Sequence, residues 1–220
     1  MWRELSLFTG AGGGLYGSKV RGWRTVGAAE WNKYAQDVLR ARQRDGWFEP
    51  FPIYDDVFEF DGAPWRGRID VLSAGFPCQP FSLAGKELAG DDPRNGWPHT
   101  ARIIREVGCP FVWLENVPGL ISGSHGYFGT ILSDLHALGF DAVWRVVSAA
   151  SVGAPHKRDR LWIFAYRSDA LANTHGQRQP QPQGVEQVKR GRPGDGGGAR
   201  TQGVLATAST PSSDTSGLCG

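Results

Sequence analysis

Residues 69–83 read Ile-Asp-Val-Leu-Ser-Ala-Gly-Phe-Pro-Cys-Gln-Pro-Phe-Ser-Leu. The run 69–74 is rich in Ile, Val and Leu, which predicts a strand that ends at Gly75. Two prolines, whose φ angles are fixed, then flank Cys78 and hold it on a stiff turn at the carboxyl end of that strand. Open α/β sheets bind their ligands at this edge. The position favours a nucleophilic thiol over an inert buried cysteine.

The chain on either side of this stretch alternates between strand and helix patterns. Further strands are predicted over residues 5–8, 25–29, 111–114, 143–149 and 161–166, with another that ends near 55–57. Helices are predicted over 15–20, 32–43 with Asn32 as N-cap, about 100–107, and 127–138, with a loop over 84–98. The alternation predicts an α/β fold with a doubly wound, mostly parallel sheet that is covered on both faces.

The composition changes sharply after residue 166. The chain has 220 residues, of which 40% are hydrophobic and nine are tryptophan, enough for one domain over 1–166. Residues 167–220 contain Gln-Pro-Gln-Pro-Gln and Arg-Gly-Arg-Pro-Gly-Asp-Gly-Gly-Gly and almost no large apolar side chains. Because such a segment buries too little surface to offset its ordering entropy, we expect a disordered tail or the start of a truncated region.

Charge and cysteine content exclude several classes of protein. The formal charge of +2 is nearly neutral, so any surface that binds nucleic acid must be local. Three cysteines without a C-x-x-C pair suggest neither a disulfide framework nor a zinc site. No segment has the pattern of a signal peptide or the roughly 18 apolar residues of a membrane span. We therefore expect a cytoplasmic protein that does not contact membranes.

A glycine-rich turn follows the first predicted strand. Residues 9–14 read Thr-Gly-Ala-Gly-Gly-Gly, and Glu30 ends the second strand twenty residues after Gly10. Glycine lets backbone amides approach a ligand at a helix N-terminus, and an acid at this spacing can accept the ribose hydroxyls of a nucleotide. The pattern alone leaves nicotinamide, flavin and S-adenosylmethionine open as cofactors.

Two further groups of charged residues follow strands. Glu115 ends an apolar strand next to that of Cys78 and is either half of an ion pair or a functional carboxyl. Arg158 and Arg160 alternate along an extended segment and so share one face. His156, in the same charged run, is interpreted as a loop residue.

In order and spacing, these motifs resemble those of the cytosine-5 DNA methyltransferases over residues 5–166. The matching segments are Leu7-Phe8-Thr9-Gly10-Ala11-Gly12-Gly13, Glu30-Trp31, Asp56-Val57, Gly75-Phe76-Pro77-Cys78-Gln79, Glu115-Asn116-Val117 and the Gln-x-Arg-x-Arg-like stretch through Arg158 and Arg160. Pro-Cys-Gln followed by Glu-Asn-Val in this order is highly specific. The resemblance implies the Rossmann-like fold of class I S-adenosylmethionine-dependent methyltransferases.

The resemblance also implies a reaction and its participants. A methyl group would pass from S-adenosylmethionine to C5 of a cytosine that is flipped out of duplex DNA. The Cys78 thiolate would add to C6, Glu115 would protonate N3, and Arg160 with support from Arg158 would hold O2. Residues 82–97 would form the loop that closes over the base.

The same resemblance implies which residues hold the cofactor. Phe8 would stack near the adenine, Glu30 would accept from the ribose hydroxyls, Trp31 would pack on the purine, and Asp56 would accept from the exocyclic amine. The remaining expected cofactor contacts are Gly10, Gly12, Gly13, Val57 and Pro77.

The chain departs from the family pattern in three ways. Ser6 stands where many members have Asp, and His156 where many have Gln. A target-recognition region, a later Asn-containing motif and a last helix are not found after residue 166. We therefore expect a catalytic half that is weakly active or inactive alone, with a second chain as one source of the missing motifs.

Other functions remain open from the sequence. A transfer-RNA cytosine-5 methyltransferase of the DNA-enzyme type shares the same motifs. RNA enzymes of the two-cysteine type are disfavoured, because Glu115 and Asn116 occupy the strand end that would carry their nucleophile. A non-catalytic module that binds cofactor or DNA and a nicotinamide oxidoreductase are the remaining alternatives.

Overall fold

The computed structural model describes residues 1–77, 95–123 and 126–170. Within these ranges the strands are β1 (Arg3–Leu7), β2 (Arg24–Ala29), β3 (Ile53–Tyr54), β4 (Val71–Ala74), β5 (Phe111–Asn116), β6 (Asp141–Ser148) and β7 (Asp159–Tyr166). The helices are α1 (Gly13–Val20), α2 (Lys33–Arg44), α3 (Trp97–Val107), α4 (Gly119–Ser122) and α5 (Tyr127–Ala137). Cys78 and the expected tail beyond Ala170 lie outside the described residues.

All seven of these strands form one sheet with the order β3-β2-β1-β4-β5-β7-β6. The first five are parallel, whereas β7 runs antiparallel to both β5 and β6. The predicted mostly parallel α/β sheet is confirmed. Because β7 runs in the opposite direction, its first residues lie at the same end of the sheet as the last residues of β4 and β5.

Apolar side chains on the two faces of the sheet meet different helices. On one face, Leu5, Leu72 and Leu114 belong to a large buried cluster together with side chains of α3 and α5. On the other, Ala28 of β2 packs with Leu15 of α1 and Leu39 of α2 in a smaller cluster. Helices therefore pack on both faces of the sheet, as in doubly wound proteins, but on the second face the buried cluster contains only residues around β2.

The N-terminal ends of two helices show how local chemistry sets their boundaries. The Asn32 side chain accepts a hydrogen bond from the Ala35 amide (3.1 Å), so it is the N-cap that the sequence predicts. Helix α3 begins at Trp97, one turn earlier than predicted, so the predicted loop is wrong at residues 97 and 98. Most of the segment expected to close over the base lies outside the described residues. Pro98 fits a first helical turn, and Trp97 is buried with its indole N–H donated to Asp134 (2.8 Å).

None of the helices in the described ranges has the length and apolar character that a membrane crossing needs.

Candidate active site

The turn after β1 brings backbone amides to the edge of the sheet where β4 and β5 end. Phe8 has a left-handed φ of 52°, which is uncommon for a residue with a side chain, and Gly10 and Gly12 have φ of 59° and 92°. A Cβ atom on Gly12 would lie 2.9 Å from the Leu39 side chain. Glycine is therefore required at Gly12 for both its backbone angle and its packing against α2.

Glu30 ties this turn to the end of β2. Its carboxylate accepts hydrogen bonds from the amides of Gly10 (2.6 Å) and Asn32 (2.9 Å), and the side chain is buried. A spacing of twenty positions pairs Glu30 with Gly10 in the sequence, and the hydrogen bond shows that the two residues are in direct contact. Each carboxylate oxygen keeps a second lone pair, so Glu30 retains acceptor capacity for a ligand.

Trp31, Asp56 and Val57 lie in three different environments. Trp31 is 80% exposed, so its indole face is free to pack on a flat ligand. The Asp56 carboxylate accepts from the Phe58 amide (2.7 Å) and lines a separate cavity of about 370 Å³. Val57 is buried in the large core, and its carbonyl accepts from Arg102 (3.1 Å), so its side chain contributes packing.

The turn after β4 is held by a residue that sequence reasoning did not single out. The buried Asn116 amide donates to the carbonyl of Phe76 (3.2 Å), and its oxygen accepts from the Val117 amide (2.8 Å). Pro77 follows Phe76 directly, so Asn116 fixes the backbone that leads into Cys78. The signal was present in the sequence as the polar residue beside Glu115 at the end of an apolar strand.

Glu115 and Arg160 form an ion pair at the centre of this edge. The Arg160 Nε atom lies 2.7 Å from the Glu115 Oε1 atom, with both side chains partly buried. A Cβ atom on Gly75 would lie 3.3 Å from Glu115 Oε2, so the absence of a side chain there leaves room for the carboxylate. The sequence predicts that Glu115 lies near the β4 strand end, and the structure has it there.

One open cavity of about 920 Å³ joins these groups. Its wall includes, from the candidate residues, Phe8, Gly10, Gly13, Glu115, Arg158 and Arg160. Glu30 and Gly12 lie behind the glycine turn, and Pro77 packs next to Phe8 around Gly96. Arg158 and Arg160 face the same space, as their alternation predicts, and His156 is exposed in the preceding turn.

Gly96 is a second position that sequence reasoning missed. It precedes α3, and a Cβ atom there would lie 2.8 Å from Phe8, 2.9 Å from Pro77 and 3.1 Å from Phe76. This glycine therefore allows the turns after β1 and β4 to approach each other beside the cavity. In the sequence it falls in a segment that is typical of a loop, so nothing local indicates the packing.

A buried acid in the wall of the cavity was also missed. Glu4 is 1% exposed, and its carboxylate accepts from the hydroxyls of Ser18 (2.8 Å), Ser73 (2.6 Å) and Thr25 (2.9 Å). Burial raises its pKa, while the three hydroxyls and the nearby Arg21 oppose that shift. Glu4 therefore links β1 to α1, β2 and β4 at the wall of the cavity.

The described residues contain one cysteine and no candidate metal centre. Burial raises the pKa of the Cys109 thiol to about 12, which makes it a poor nucleophile. No group of three or more His, Cys, Asp or Glu side chains that could hold a metal ion occurs among the residues that the structure describes. Cys78, the predicted nucleophile, lies outside them.

Comparison with known proteins identifies relatives of this chain. A family model for C-5 cytosine-specific DNA methylases matches residues 2–203. The type II methyltransferase M.PspPI of a Psychrobacter species is 38% identical over 168 residues, which are 75% of this chain and 39% of that protein. M.NgoBI of Neisseria gonorrhoeae is 34% identical, with 76% and 51% covered. The chain thus spans about half or less of these relatives.

Solved structures share the fold. DNMT2 of Spodoptera frugiperda, solved as a mutant, has a TM-score of 0.61 at 22% identity and covers 76% of this chain and 50% of its own. Dnmt2 of Schizosaccharomyces pombe has a TM-score of 0.61 at 17% identity, with 83% and 58% covered. At these identities the likeness concerns the fold alone.

Proposed function

This chain belongs to the C-5 cytosine-specific DNA methylase family, and we propose that it transfers a methyl group from S-adenosylmethionine to C5 of cytosine in DNA. The observation that supports this best is the Glu115–Arg160 ion pair at 2.7 Å, beside Gly75 and in the same cavity as the glycine turn. Residues 1–166 would be the catalytic domain, and 167–220 a tail or the start of a target-recognition region.

The residues around the glycine turn fit the cofactor. The cavity of about 920 Å³ is large enough for a nucleoside-sized ligand. Phe8, Gly10 and Gly13, which line this cavity, would contact the cofactor directly, with Gly12 and Pro77 shaping the turns beside them. Glu30 would lie at the ribose. Trp31 and Asp56 would hold the adenine outside this cavity, and Val57, whose side chain is buried, would contribute through its backbone. When bound, S-adenosylmethionine supplies an electrophilic methyl group on a sulfonium.

Cys78 would provide the covalent step. Cys78 follows Pro77 in the chain. The carbonyl group of the residue before Pro77, Phe76, accepts a hydrogen bond from Asn116. The thiolate sulfur would add to C6 of a flipped cytosine while Glu115 delivers a proton to N3, so that C5 becomes nucleophilic and can take the sulfonium methyl group, whose sulfur leaves as a neutral thioether. Loss of the C5 proton to a base would then restore the C5–C6 double bond and expel the Cys78 thiolate, and N3 would return its proton to Glu115.

Arg160 has hydrogen-bonding capacity left for the base. Its Nε atom is ion-paired with Glu115, and one Nη1 proton is donated to the Asp159 carbonyl (2.8 Å). A guanidinium has four Nη protons, so three remain for a carbonyl oxygen such as O2 of cytosine. Arg158 lines the same cavity and would support this contact.

A covalent trap tests the proposal. Because the trap accumulates even slow single turnovers, it is suited to a chain of weak activity. We expect the chain with S-adenosylmethionine to form, in low yield, an adduct with 5-fluorocytosine duplex DNA that survives denaturation, and Cys78→Ala to form none. Cys109→Ala is the matched control and should still form the adduct, since the Cys109 thiol is buried. Trapping on transfer RNA instead of DNA would favour the RNA enzyme, and cofactor binding in calorimetry without any adduct would favour a non-catalytic module.

Full activity would require sequence that the longer relatives have. Because the chain spans 39% and 51% of M.PspPI and M.NgoBI, we propose that the remaining function, including choice of target, comes from further polypeptide, either a second chain or a continuation. Robust methylation of one specific sequence by these 220 residues alone would contradict this part of the proposal.

A further inference from the structure

Strand β6 forms one edge of the sheet. Among the described residues it pairs only with β7, through eight consecutive residue pairs. The strand at the opposite edge, β3, has two residues. Very short edge strands offer little backbone to a partner, whereas long ones present a row of unpaired N–H and C=O groups. The β6 edge therefore offers many more unpaired backbone groups to another chain than the β3 edge does.

The β6 edge carries two exposed charges, Asp141 and Arg145, but lacks the other usual features that prevent pairing. Its sequence, Asp-Ala-Val-Trp-Arg-Val-Val-Ser, contains no proline or glycine, and its register with β7 has no bulge. Val143, Trp144 and Val146 are 54%, 48% and 42% exposed. Exposed apolar side chains on both faces of a straight edge strand are typical of a surface that pairs with another strand.

We propose that β6 pairs antiparallel with β6 of a second copy of this chain and extends the sheet across a two-fold axis. If the two-fold axis is perpendicular to the sheet, equivalent faces of the two copies lie on the same side of the extended sheet. Directly opposed residues must then both be odd-numbered or both even-numbered, because successive side chains point to opposite faces. This condition leaves a small set of registers.

Charge selects one register from this set. With Val143 opposite Val143 of the partner subunit, Asp141 faces Arg145 of the partner subunit, and the two-fold axis repeats the contact. In the same register the small Ala142 faces Trp144 of the partner subunit, which covers it. Opposite charges that face each other across two strands are favourable. Arg145 has no ion pair within the described ranges, and Asp141, which accepts from the Ser168 hydroxyl through Oδ2, keeps Oδ1 for this contact.

The neighbouring registers are poorer. An axis at Trp144 leaves Asp141 and Arg145 opposite valines, and an axis at Arg145 places two arginines against each other, which is unfavourable. In the favoured register the paired stretch is 141–145. Val147 and Ser148, which line the large cavity, lie beyond it. The dimer would therefore leave the candidate active site open.

A charge swap in the full chain tests this arrangement. We expect sedimentation equilibrium, from about 1 μM to about 100 μM, to show a monomer–dimer equilibrium for the wild type. Asp141→Arg and Arg145→Asp should each weaken the dimer about tenfold or more, because each places like charges opposite one another twice. The double variant, which restores both pairs in reverse, should recover wild-type dimerisation.

The controls separate pairing from folding. Arg68→Asp reverses an exposed charge in the loop before β4 and should leave the dimer unchanged. Circular dichroism should show the same secondary structure for all four variants, because the altered side chains are exposed. A wild type that stays monomeric throughout the concentration range overturns the proposal. Single variants that dimerise normally, or a double variant that does not recover, overturn it equally.

Discussion

Replacing Glu4 by methionine is expected to destabilise the fold, whereas replacing it by glutamine is not. Methionine keeps the volume but removes the acceptor of three hydroxyl hydrogen bonds, from Ser18, Thr25 and Ser73. Glutamine can accept two of these bonds with its oxygen and donate to the third hydroxyl with its amide. The two variants therefore separate the loss of hydrogen bonding from the loss of charge.

The size of the effect follows from burial. A buried polar group that loses its partner costs about 1–3 kcal/mol. Thr25 and Ser73 are partly exposed, so about 1 kcal/mol applies to each, and the buried Ser18 contributes at least as much. The total for Glu4→Met is then at least about 3 kcal/mol. For a chain of this size, about 2–4 °C per kcal/mol converts it to a fall of about 6–12 °C in Tm.

The pH dependence of Glu4→Gln has a defined sign. Burial raises the pKa of Glu4 above its ordinary value of 4.5, so the folded state holds this proton more tightly than the unfolded state does. Ionised Glu4 therefore costs stability at neutral pH, and the cost disappears as the pH falls through the raised pKa towards 4.5. Glu4→Gln should be at least as stable as wild type at neutral pH, with an advantage that narrows on acidification.

Tryptophan fluorescence during thermal and urea unfolding measures both effects. The three proteins would be compared at neutral pH and at several lower values, so that all other titrating groups cancel in the differences. If Glu4→Gln lost as much stability as Glu4→Met, the charge itself would be essential and the hydrogen-bond reasoning would be wrong. A Glu4→Met variant with wild-type Tm would refute it as well.

Three further predictions concern single positions. Asn116→Asp should reduce covalent trapping at least about tenfold, because an ionised side chain cannot donate to the Phe76 carbonyl; trapping at the wild-type rate would show that this bond does not position the loop. Gly96→Ala should weaken S-adenosylhomocysteine binding in calorimetry about tenfold, since its Cβ would meet three neighbours within 3.1 Å; Gly129→Ala, which meets none within 4 Å, should bind normally and gain about 0.5–1 kcal/mol of stability. Cys109, with a pKa of about 12, should resist iodoacetamide at mildly alkaline pH in the folded protein and react on unfolding; mass spectrometry of its peptide would show early labelling if the thiol were accessible.

The order of strands and helices was predictable because it depends on local patterns. The runs that become β4 and β5 are apolar enough to identify, and Asn32 marks a helix start by its chemistry alone. The start of α3 was not predictable. Asn95, Gly96 and Pro98 are typical loop residues, and only the burial of Trp97 against the rest of the fold makes the segment helical.

The candidate site divides along the same line. Glu115 could be placed near the end of β4, because the ends of neighbouring parallel strands lie together. Gly10 could be placed near Glu30 from the spacing between the glycine turn and the acid. Gly96 and Glu4 could not, since their roles depend on contacts between segments far apart in sequence. A polar residue in an apolar strand was the one available signal for Glu4, and a surface position explains that pattern equally well.

The reversed direction of β7 determines the route of whatever polypeptide follows it. The strand starts at the edge that carries Glu115 and ends at the opposite edge, where the Arg167 amide donates to the Pro110 carbonyl (3.1 Å). Eight strand residues at about 3.3 Å each give a path of roughly 26 Å. A downstream segment can therefore reach the cavity only after a connection of at least about eight extended residues. Donor–acceptor distances from a dye at Ser168 to the cavity mouth would measure that path directly.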